Sequence, residues 1–438
     1  MLFWLQVAFV IGLVFSSPWY LWKMFRRGNF ARGFWQRFAV YPAAVRQRAA
    51  GGGFVWIHGV SVGETRVALL LIERLRRRWP DLRIALSTTT STGHALAVKH
   101  APSEVLVFYF PLDFLACINR ALALLRPRLM VVVETEVWPT LVLQSRKRGV
   151  PVIMVNGRMS EKSFRGYRCL GVLSRRVFGV FDLVCAQGPR DAERFRQLGV
   201  IENTLRVTGS LKFDEAQVPS RLGAQAREFL RCCGVDDSRP VWVCGSTHAG
   251  EEEIIFRVFR ELRAKFSTLF LVLAPRHPER TREVLAVAQR CGMRLTLRTQ
   301  PPRADTDGVL LNTTGELKAF YEAATVIFVG KSLRGRGGQN FIEAAVTGAP
   351  VVFGPAMQNF EAIAEVFVRA GGVVQVKDET GLQTALDELL AKPERRREVG
   401  ERARQVIVEN SGAADRTVEA MVEIVGRGAR GVRGGNVS

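Results

Sequence analysis

Histidine and paired cysteines are scarce in this chain of 438 residues. Its five histidines form no H-E-x-x-H motif, which argues against a zinc site with Cys and His ligands. Its seven cysteines are scattered and form no C-x-x-C pair, so the sequence predicts a reduced protein that faces the cytosol. Its 40 glycines follow no period, which excludes a collagen-like fibre.

Acidic residues are also in deficit. The chain has 62 Lys and Arg against 41 Asp and Glu, so its formal net charge is +21. Such an excess favours an anionic partner, which could be a nucleic acid, a membrane surface or an acidic substrate. Hydrophobic residues make up 47% of the chain, so we expect most of it to fold, as two or three domains.

The segment Leu2–Trp22 contains no charged residue. It is just long enough to span a bilayer, which needs about 20 residues, and aromatic residues lie near its end. Basic residues follow directly, which places the C-terminal side in the cytoplasm. We therefore expect a membrane anchor over residues 1–22 and a basic juxtamembrane segment over 23–50 that contacts anionic lipid. The alternative is a buried amphipathic helix.

The rest of the chain alternates short apolar runs with helical patterns. Seven runs extend from Phe54–Val60 to Leu205–Thr208, and seven more from Val241–Cys244 to Val373–Val376. Continuous Val, Ile and Leu runs are typical of parallel strands that are buried on both faces. The sequence predicts an α/β protein with two doubly wound, Rossmann-like domains that face a cleft. We expect these domains over residues 51–215 and 241–410, with a linker over 216–240 and a tail over 411–438.

Three polar motifs follow apolar strands of the first domain. Glu64 lies at the start of a helix predicted over Thr65–Trp79, where a carboxylate can act as a general base or can simply help the helix to begin. Glu134 and Glu136 follow another strand; they either bind a substrate or basic residues, or belong to a helix N-cap region. Lys212 follows the last strand, where it either reaches a developing phosphate charge or is an ordinary surface lysine.

Two motifs of the second domain suggest an anion site. Ser246 lies in a small-residue turn before a helix, and backbone N–H groups at a helix start can bind an anion. Arg276 lies in a loop stiffened by two prolines, and its guanidinium group suits a phosphate. The neighbouring His277 is a ligand, a base or a packing residue.

A glycine-rich segment lies further along the second domain. Gly330-Lys331-Ser332 mimics the end of a phosphate-binding loop, but Thr325 stands where that loop needs its first glycine, so we reject this interpretation. Gly337-Gly338 instead allows a backbone to approach a ligand closely. Glu343, in a helix predicted over Phe341–Thr347, is placed to bind ribose hydroxyl groups.

In these motifs and in their order, the chain resembles the 3-deoxy-D-manno-octulosonic acid (Kdo) transferases. The resemblance extends from the N-terminal anchor to about residue 410. The matching segments are Val55–Glu64, Val133–Pro139, Val155–Ser160, Gly209–Asp214, Gly245–Glu253, Ala274–Pro278, Gly315–Leu317, Gly337–Glu343, Gly354-Pro355 and Asn359-Phe360.

The resemblance implies an inverting glycosyltransferase with a GT-B fold. Its donor would be CMP-Kdo, and its acceptor a lipid A precursor (lipid IVA) in lipopolysaccharide biosynthesis. It would use no metal and no other cofactor. It would lie on the cytoplasmic side of the cell inner membrane, held by one N-terminal anchor.

The resemblance also implies roles for individual residues. Glu64 matches the proton acceptor of the family, and Glu134 and Lys212 match positions that stabilise the transition state. The segments that match the CMP-binding positions are Pro275 and Arg276; Thr314, Gly315 and Glu316; and Asn340, Phe341, Ile342 and Glu343. Two positions depart from the family pattern: Gln339 stands where a His is usual, and Lys331 where a Gly is frequent.

Two other functions remain open at this stage. One is a membrane-anchored GT-B transferase that uses a UDP-sugar and another lipid-linked acceptor. The other is a membrane-tethered nucleic-acid binder, which the positive charge alone would suggest. The chain has no RNP, helix-turn-helix or zinc signature, so we expect no nucleic-acid partner.

Overall fold

The computed structural model describes residues 33–217, 222–236 and 238–433. The predicted anchor over residues 1–22, and the basic segment as far as residue 32, lie outside the described residues. Among the helices that are described, none has the length and apolar character that crossing a bilayer requires. The chain forms two compact units. Unit 1 contains the chain up to Glu215 and again from Ser411, and unit 2 contains Ala216–Asn410.

Unit 1 is built on a sheet of seven parallel strands in the order β3-β2-β1-β4-β5-β6-β7. All seven predicted runs form strands, because their apolar side chains fill both faces of the sheet. Every residue of five of these strands is buried. The strands are β1 (Val55–Gly59), β2 (Ile84–Thr88), β3 (Leu106–Tyr109), β4 (Leu129–Val133), β5 (Val152–Gly157), β6 (Leu183–Ala186) and β7 (Leu205–Val207).

Helices connect these strands and cover the sheet. They are α1 (Ala43–Ala49), α2 (Val62–Arg78), α3 (Ser91–His100), α4 (Leu115–Leu125), α5 (Pro139–Lys147), α6 (Glu161–Cys169), α7 (Val172–Phe178), α8 (Pro189–Gln197) and α9 (Leu211–Ala216), with 3-10 turns at Trp35–Phe38 and Glu202–Thr204. The helix predicted from Thr65 begins earlier, at Val62, because the Ser61 hydroxyl caps it by accepting the Glu64 N–H.

The last helix, α18 (Ala413–Arg433), belongs to unit 1, although unit 2 separates it in sequence from the other helices of that unit. It packs on α2. Both oxygens of the Asp214 carboxylate accept N–H groups at its start, from Gly412 (2.6 Å) and Ala414 (2.8 Å). The separate tail predicted over 411–438 is therefore corrected, because this segment has an apolar face. The buried residues on that face are Ala413, Ala414, Val418 and Met421.

Unit 2 contains a second sheet of seven parallel strands, in the order β10-β11-β9-β8-β12-β13-β14. Each of the seven predicted runs again forms a strand, with ends that differ by a few residues. The strands are β8 (Val241–Thr247), β9 (Phe270–Pro275), β10 (Leu295–Leu297), β11 (Gly308–Leu310), β12 (Val326–Val329), β13 (Val351–Phe353) and β14 (Val374–Gln375). The two parallel sheets confirm the predicted α/β class with two doubly wound domains.

The helices of unit 2 include one inside the predicted linker. They are α10 (Gly223–Cys232), α11 (Glu251–Lys265), α12 (Thr281–Arg290), α13 (Leu317–Tyr321), α14 (Ile342–Ala345), α15 (Glu361–Ala370), α16 (Glu379–Ala391) and α17 (Pro393–Asn410), with a 3-10 turn at Pro278–Arg280. Ala226, Phe229 and Leu230 of α10 are buried, and the helix packs on α13. The linker predicted over 216–240 is corrected accordingly, since these apolar residues follow helical spacing.

Candidate active site

Three carboxyl groups of unit 1 lie beyond the ends of two neighbouring strands. Glu64 is in the first turn of α2, directly after β1, and Glu134 and Glu136 directly follow β4. β1 and β4 are paired, and the chain leaves them toward opposite sides of the sheet. Such a reversal of strand order opens a crevice at the carboxyl ends of the strands, which is where α/β sheets bind ligands.

The carboxyl group of Glu64 is almost completely buried, with 7% of the residue exposed. Its Oε2 accepts the Val60 N–H at 2.6 Å, and its Oε1 accepts the Ser61 hydroxyl at 2.7 Å. Gly59 allows this close packing, since a side chain there would lie 3.2 Å from the Glu64 Cβ. Burial, followed by the negative charge of Glu134, raises the pKa of Glu64 above its usual value. A carboxylate with a raised pKa is a stronger base.

Glu134 pairs with Lys212, as their Oε1 and Nζ atoms are 2.9 Å apart. Asn156, at the end of β5, connects the two segments. Its Nδ2 donates to Glu134 (3.4 Å), and its Oδ1 accepts the Leu211 N–H (3.0 Å) in the turn that carries Lys212. The structure therefore brings together Glu134 and Lys212, which the sequence predicted as site residues. Lys212 is not an ordinary surface lysine. Sequence reasoning assigned no role to Asn156, although an Asn-Gly pair after a buried strand was a visible signal.

Glu136 is the third acidic group of this cluster, and its pKa is strongly raised. Burial raises the pKa of Glu136 to about 7, with further contributions from the charges of Glu64 and Glu134. Burial and the charge of Glu136 also raise the pKa of the Tyr167 hydroxyl. Groups coupled in this way titrate together. The cluster therefore retains a proton at higher pH than isolated carboxyl groups would, which the sequence did not reveal.

In unit 2, the topology brings the predicted nucleotide-binding segments to one edge of the sheet. β11, β9, β8 and β12 are adjacent in that order. Ser246 lies at the end of β8, and Arg276 follows β9. Thr314–Glu316 lies between β11 and α13, and Asn340–Glu343 follows β12 after a loop of ten residues. Since all four strands are parallel, the four segments share their carboxyl edge.

The turn after β8 differs from its prediction. The expected anion site needs unoccupied N–H groups at the helix start. Instead, the His248 N–H donates to the Glu251 carboxylate at 2.9 Å, and the Glu251 N–H donates to the His248 carbonyl oxygen at 3.0 Å. Ser246 has a left-handed backbone, with φ = 57°. Next to this turn, the Arg276 N–H donates to the Thr247 carbonyl oxygen, and Arg276 is exposed.

Glu316 is anchored before α13. It accepts a hydrogen bond from the Arg298 guanidinium at 3.1 Å and another from the Thr313 hydroxyl. The Arg298 guanidinium also lies over the Phe229 ring, 4.5 Å from its centroid. α10 therefore supports the predicted Thr314–Glu316 segment from outside the sheet.

The predicted nucleotide-binding residues in the segment after β12 differ in exposure, and Asn340 and Glu343 are partly exposed. The Glu343 carboxylate accepts the Asn340 side-chain amide at 3.4 Å. Phe341 and Ile342 are fully buried. The helix predicted over Phe341–Thr347 is limited to Ile342–Ala345. Within the described residues, no cluster of three or more His, Cys, Asp or Glu side chains is arranged to hold a metal ion.

Sequence comparison identifies the family. The family described as 3-deoxy-D-manno-octulosonic-acid transferase (kdotransferase) matches residues 32–215. The chain is 36% identical over 424 residues to the 3-deoxy-D-manno-octulosonic acid transferase of Bordetella pertussis, over 93% of this chain and 96% of the relative. The chain belongs to the Kdo transferase family. A Kdo transferase of Haemophilus influenzae is 32% identical, over 84% of this chain and 86% of that protein.

A solved structure of a more distant protein shares the fold. The UDP-GlcNAc 2-epimerase from Neisseria meningitidis, bound to UDP-GlcNAc, superposes with a TM-score of 0.61. It covers 84% of this chain and 99% of its own, at 15% identity. The likeness shows that this Kdo transferase family member is built like other proteins with two parallel α/β domains.

Proposed function

We propose that this member of the Kdo transferase family moves Kdo from CMP-Kdo to a lipid A precursor (lipid IVA), with inversion at the anomeric carbon, and that Glu64 is the general base. The transfer itself follows from family membership. The role of Glu64 is supported mainly by one observation, a buried carboxyl group with a raised pKa that the Val60 N–H and the Ser61 hydroxyl fix in place.

In this mechanism, Glu64 removes the proton of an acceptor hydroxyl group. The resulting oxygen attacks the anomeric carbon of Kdo from the face opposite CMP. The bond from that carbon to the phosphate oxygen breaks, and CMP leaves with the electron pair. Lys212, held by Glu134 at 2.9 Å, stabilises negative charge in the transition state.

We further propose that unit 2 binds the CMP portion of the donor. The shared sheet edge supports this assignment for Ser246, Pro275, Arg276, Thr314, Gly315, Glu316, Asn340, Phe341, Ile342 and Glu343. The exposed Arg276 guanidinium suits the phosphate, and the Glu343 carboxylate suits vicinal ribose hydroxyl groups. Replacing Glu343 by Ala should weaken CMP binding in calorimetry, and an unchanged affinity would remove this residue from the site.

Product analysis tests the reaction directly. The full chain is incubated with CMP-Kdo and a tetra-acylated lipid A precursor, and the lipid is analysed by mass spectrometry. We expect the mass of the lipid to increase by one or more Kdo units. CMP, rather than UDP, should protect the chain against thermal unfolding. Protection by UDP alone, with no Kdo product, would favour the UDP-sugar alternative.

We also propose that residues 1–22 anchor the chain in the inner membrane, with both units on the cytoplasmic side, against an anionic surface. The uncharged run over Leu2–Trp22, the basic residues that follow it and the net charge of +21 support this proposal. A chain that lacks residues 1–22 should bind anionic vesicles and be released by salt. Binding that does not respond to salt would argue for hydrophobic insertion by another segment.

A further inference from the structure

Glu251 is a fully buried carboxylate at the first residue of α11, and it accepts five backbone hydrogen bonds. Its Oε2 accepts the N–H groups of His248 (2.9 Å) and Lys331 (2.7 Å). Its Oε1 accepts those of three successive residues, Ser332 (3.0 Å), Leu333 (3.1 Å) and Arg334 (3.3 Å). All five partners are N–H donors, and both oxygens of the carboxyl group act as acceptors.

The N–H groups of residues 331–334 form a concave cluster around this carboxylate. Successive N–H groups arranged in this way bind phosphate oxygens in nucleotide-binding loops. The sequence Gly330-Lys331-Ser332 resembles the end of such a loop, but here the cluster is already filled by Glu251. A donor phosphate is therefore excluded from these four N–H groups, and the buried negative charge repels it.

The same carboxylate connects the loops that leave β8 and β12. The Gly330 N–H donates to the Gly245 carbonyl oxygen at 2.8 Å, and a side chain at Gly330 would meet the Thr247 Cα at 2.6 Å. Ser246 and Lys331, one in each loop, both have a left-handed backbone with φ = 57°. This conformation is unfavourable for a non-glycine residue and persists where the surroundings enforce it. The Glu251 carboxylate holds both loops, because it accepts the His248 N–H of one loop and the Lys331 N–H of the other.

We infer that Glu251 is a positioning residue of the donor site: its carboxylate takes the place of a bound anion in the 330–334 loop and fixes that loop against the turn at Ser246. This inference rests on the proposed function, because the donor is assigned to Ser246 and to Asn340–Glu343, which lie on the two connected loops. The donor phosphate is then left to side chains such as Arg276 instead of the loop amides.

The variant Glu251→Gln tests this role. Glutamine keeps the size of the side chain but replaces one acceptor oxygen by an NH₂ group that faces N–H donors. Misplacing a substrate-binding group by about 1 Å can cost roughly 10²-fold, so we expect kcat/KM for CMP-Kdo to fall by about that factor. The loss should appear in KM and in the Kd for CMP, with kcat changed much less. Unchanged values of both in a folded variant would overturn the inference.

Glu253→Gln is the matched control. Glu253 lies in the same turn of α11, but it is exposed and pairs with Arg257 at 3.4 Å on the surface. This variant should keep the KM and the CMP affinity of the unmodified chain. If Glu251→Gln does not fold, Glu251→Asp keeps the charge and shortens the reach by one methylene group. An unchanged KM in Glu251→Asp would then contradict a positioning role.

Hydrogen–deuterium exchange separates this inference from the proposed function, because it needs no substrate. Peptides that cover residues 330–336 should exchange faster in Glu251→Gln than in Glu253→Gln or the unmodified chain. Equal exchange in all three would overturn the inference. Failure of the unmodified chain to use CMP-Kdo, together with faster exchange in Glu251→Gln, would instead reject the function and keep the structural role of the carboxylate.

Discussion

At the residue scale, the acidic cluster shows how neighbouring side chains of the same type can have different partners. Its members are Glu64, Glu134 and Glu136. Glu134 has an ammonium partner, Lys212, at 2.9 Å, whereas Glu64 is bound by an N–H and a hydroxyl group. The pKa of Glu136 is raised by burial and by the negative charges of both neighbours. Burial and repulsion between the carboxyl groups therefore raise the pKa of both Glu64 and Glu136.

The first prediction concerns the base. Replacing Glu64 by Gln removes the proton acceptor but keeps the shape of the side chain. General-base catalysis contributes about 10²–10⁴-fold, so we expect kcat to fall by at least that range, with the calorimetric affinity for CMP unchanged. Glu73→Gln, an exposed position on the same helix, is the control. Near-normal turnover by Glu64→Gln would show that another group is the base.

The second prediction concerns pH. A general base must be ionised, and burial and the charge of Glu134 raise the pKa of Glu64. The rate should therefore fall as pH drops through this raised pKa and level off at pH values above it. Glu134→Gln removes the neighbouring negative charge that raises this pKa, which makes ionisation of Glu64 easier. The acidic limb of the kcat/KM profile should shift to lower pH. A limb that stays in place would show that Glu134 is not coupled to the base.

At the scale of elements, short loops at strand ends allow the sequence to predict the site. Each of the fourteen apolar runs forms a strand in the described part of the chain, because a strand buried on both faces needs continuous apolar residues. Glu64 and Glu134 follow their strands closely, so their position at the same edge of the sheet could be predicted. Asn340–Glu343 lies ten residues beyond β12, and its short helix was predicted too long.

The third prediction concerns the start of α18. The Asp214 carboxylate accepts the N–H groups of Gly412 and Ala414, which otherwise lack helical partners. Asp214→Ala should lower the free energy of unfolding of unit 1 by about 1–2 kcal/mol, as other lost caps do. Urea unfolding measures the change. Asp415→Ala, in the exposed first turn of the same helix, should have a much smaller effect. Equal effects would argue against the cap.

At the scale of the whole molecule, the chain returns to its first unit after completing its second. Residues from Ser411 complete a core begun by residues before Glu215. No local sequence pattern shows which unit α18 packs against, because an apolar helix face is compatible with either unit. The Gly- and Arg-rich composition of residues 426–438 favoured a tail. Four buried apolar residues over Ala413–Met421 instead decide the packing.

The fourth prediction follows from this return. A chain that ends at Asn410 loses the buried side chains of α18, and burying a Val or Met contributes about 1.5–3 kcal/mol. We expect unit 1 to lose at least about 3 kcal/mol of stability, seen as faster amide exchange in α2, which α18 covers. Exchange in β8 and β9 of unit 2 should stay unchanged. A loss shared equally by both units would contradict the assignment of α18.

The sequence by itself determined the two parallel α/β domains, the order of the strands along the chain and the polar residues at their ends, because each of these depends on local apolar patterns and short turns. Only the tertiary structure decided which distant groups meet. The Lys212–Glu134 pair, the return of α18 and the four hydrogen bonds from residues 331–334 to Glu251 join residues that are 78, about 200 and about 80 positions apart. Such contacts depend on strand order and backbone direction, which no local pattern encodes.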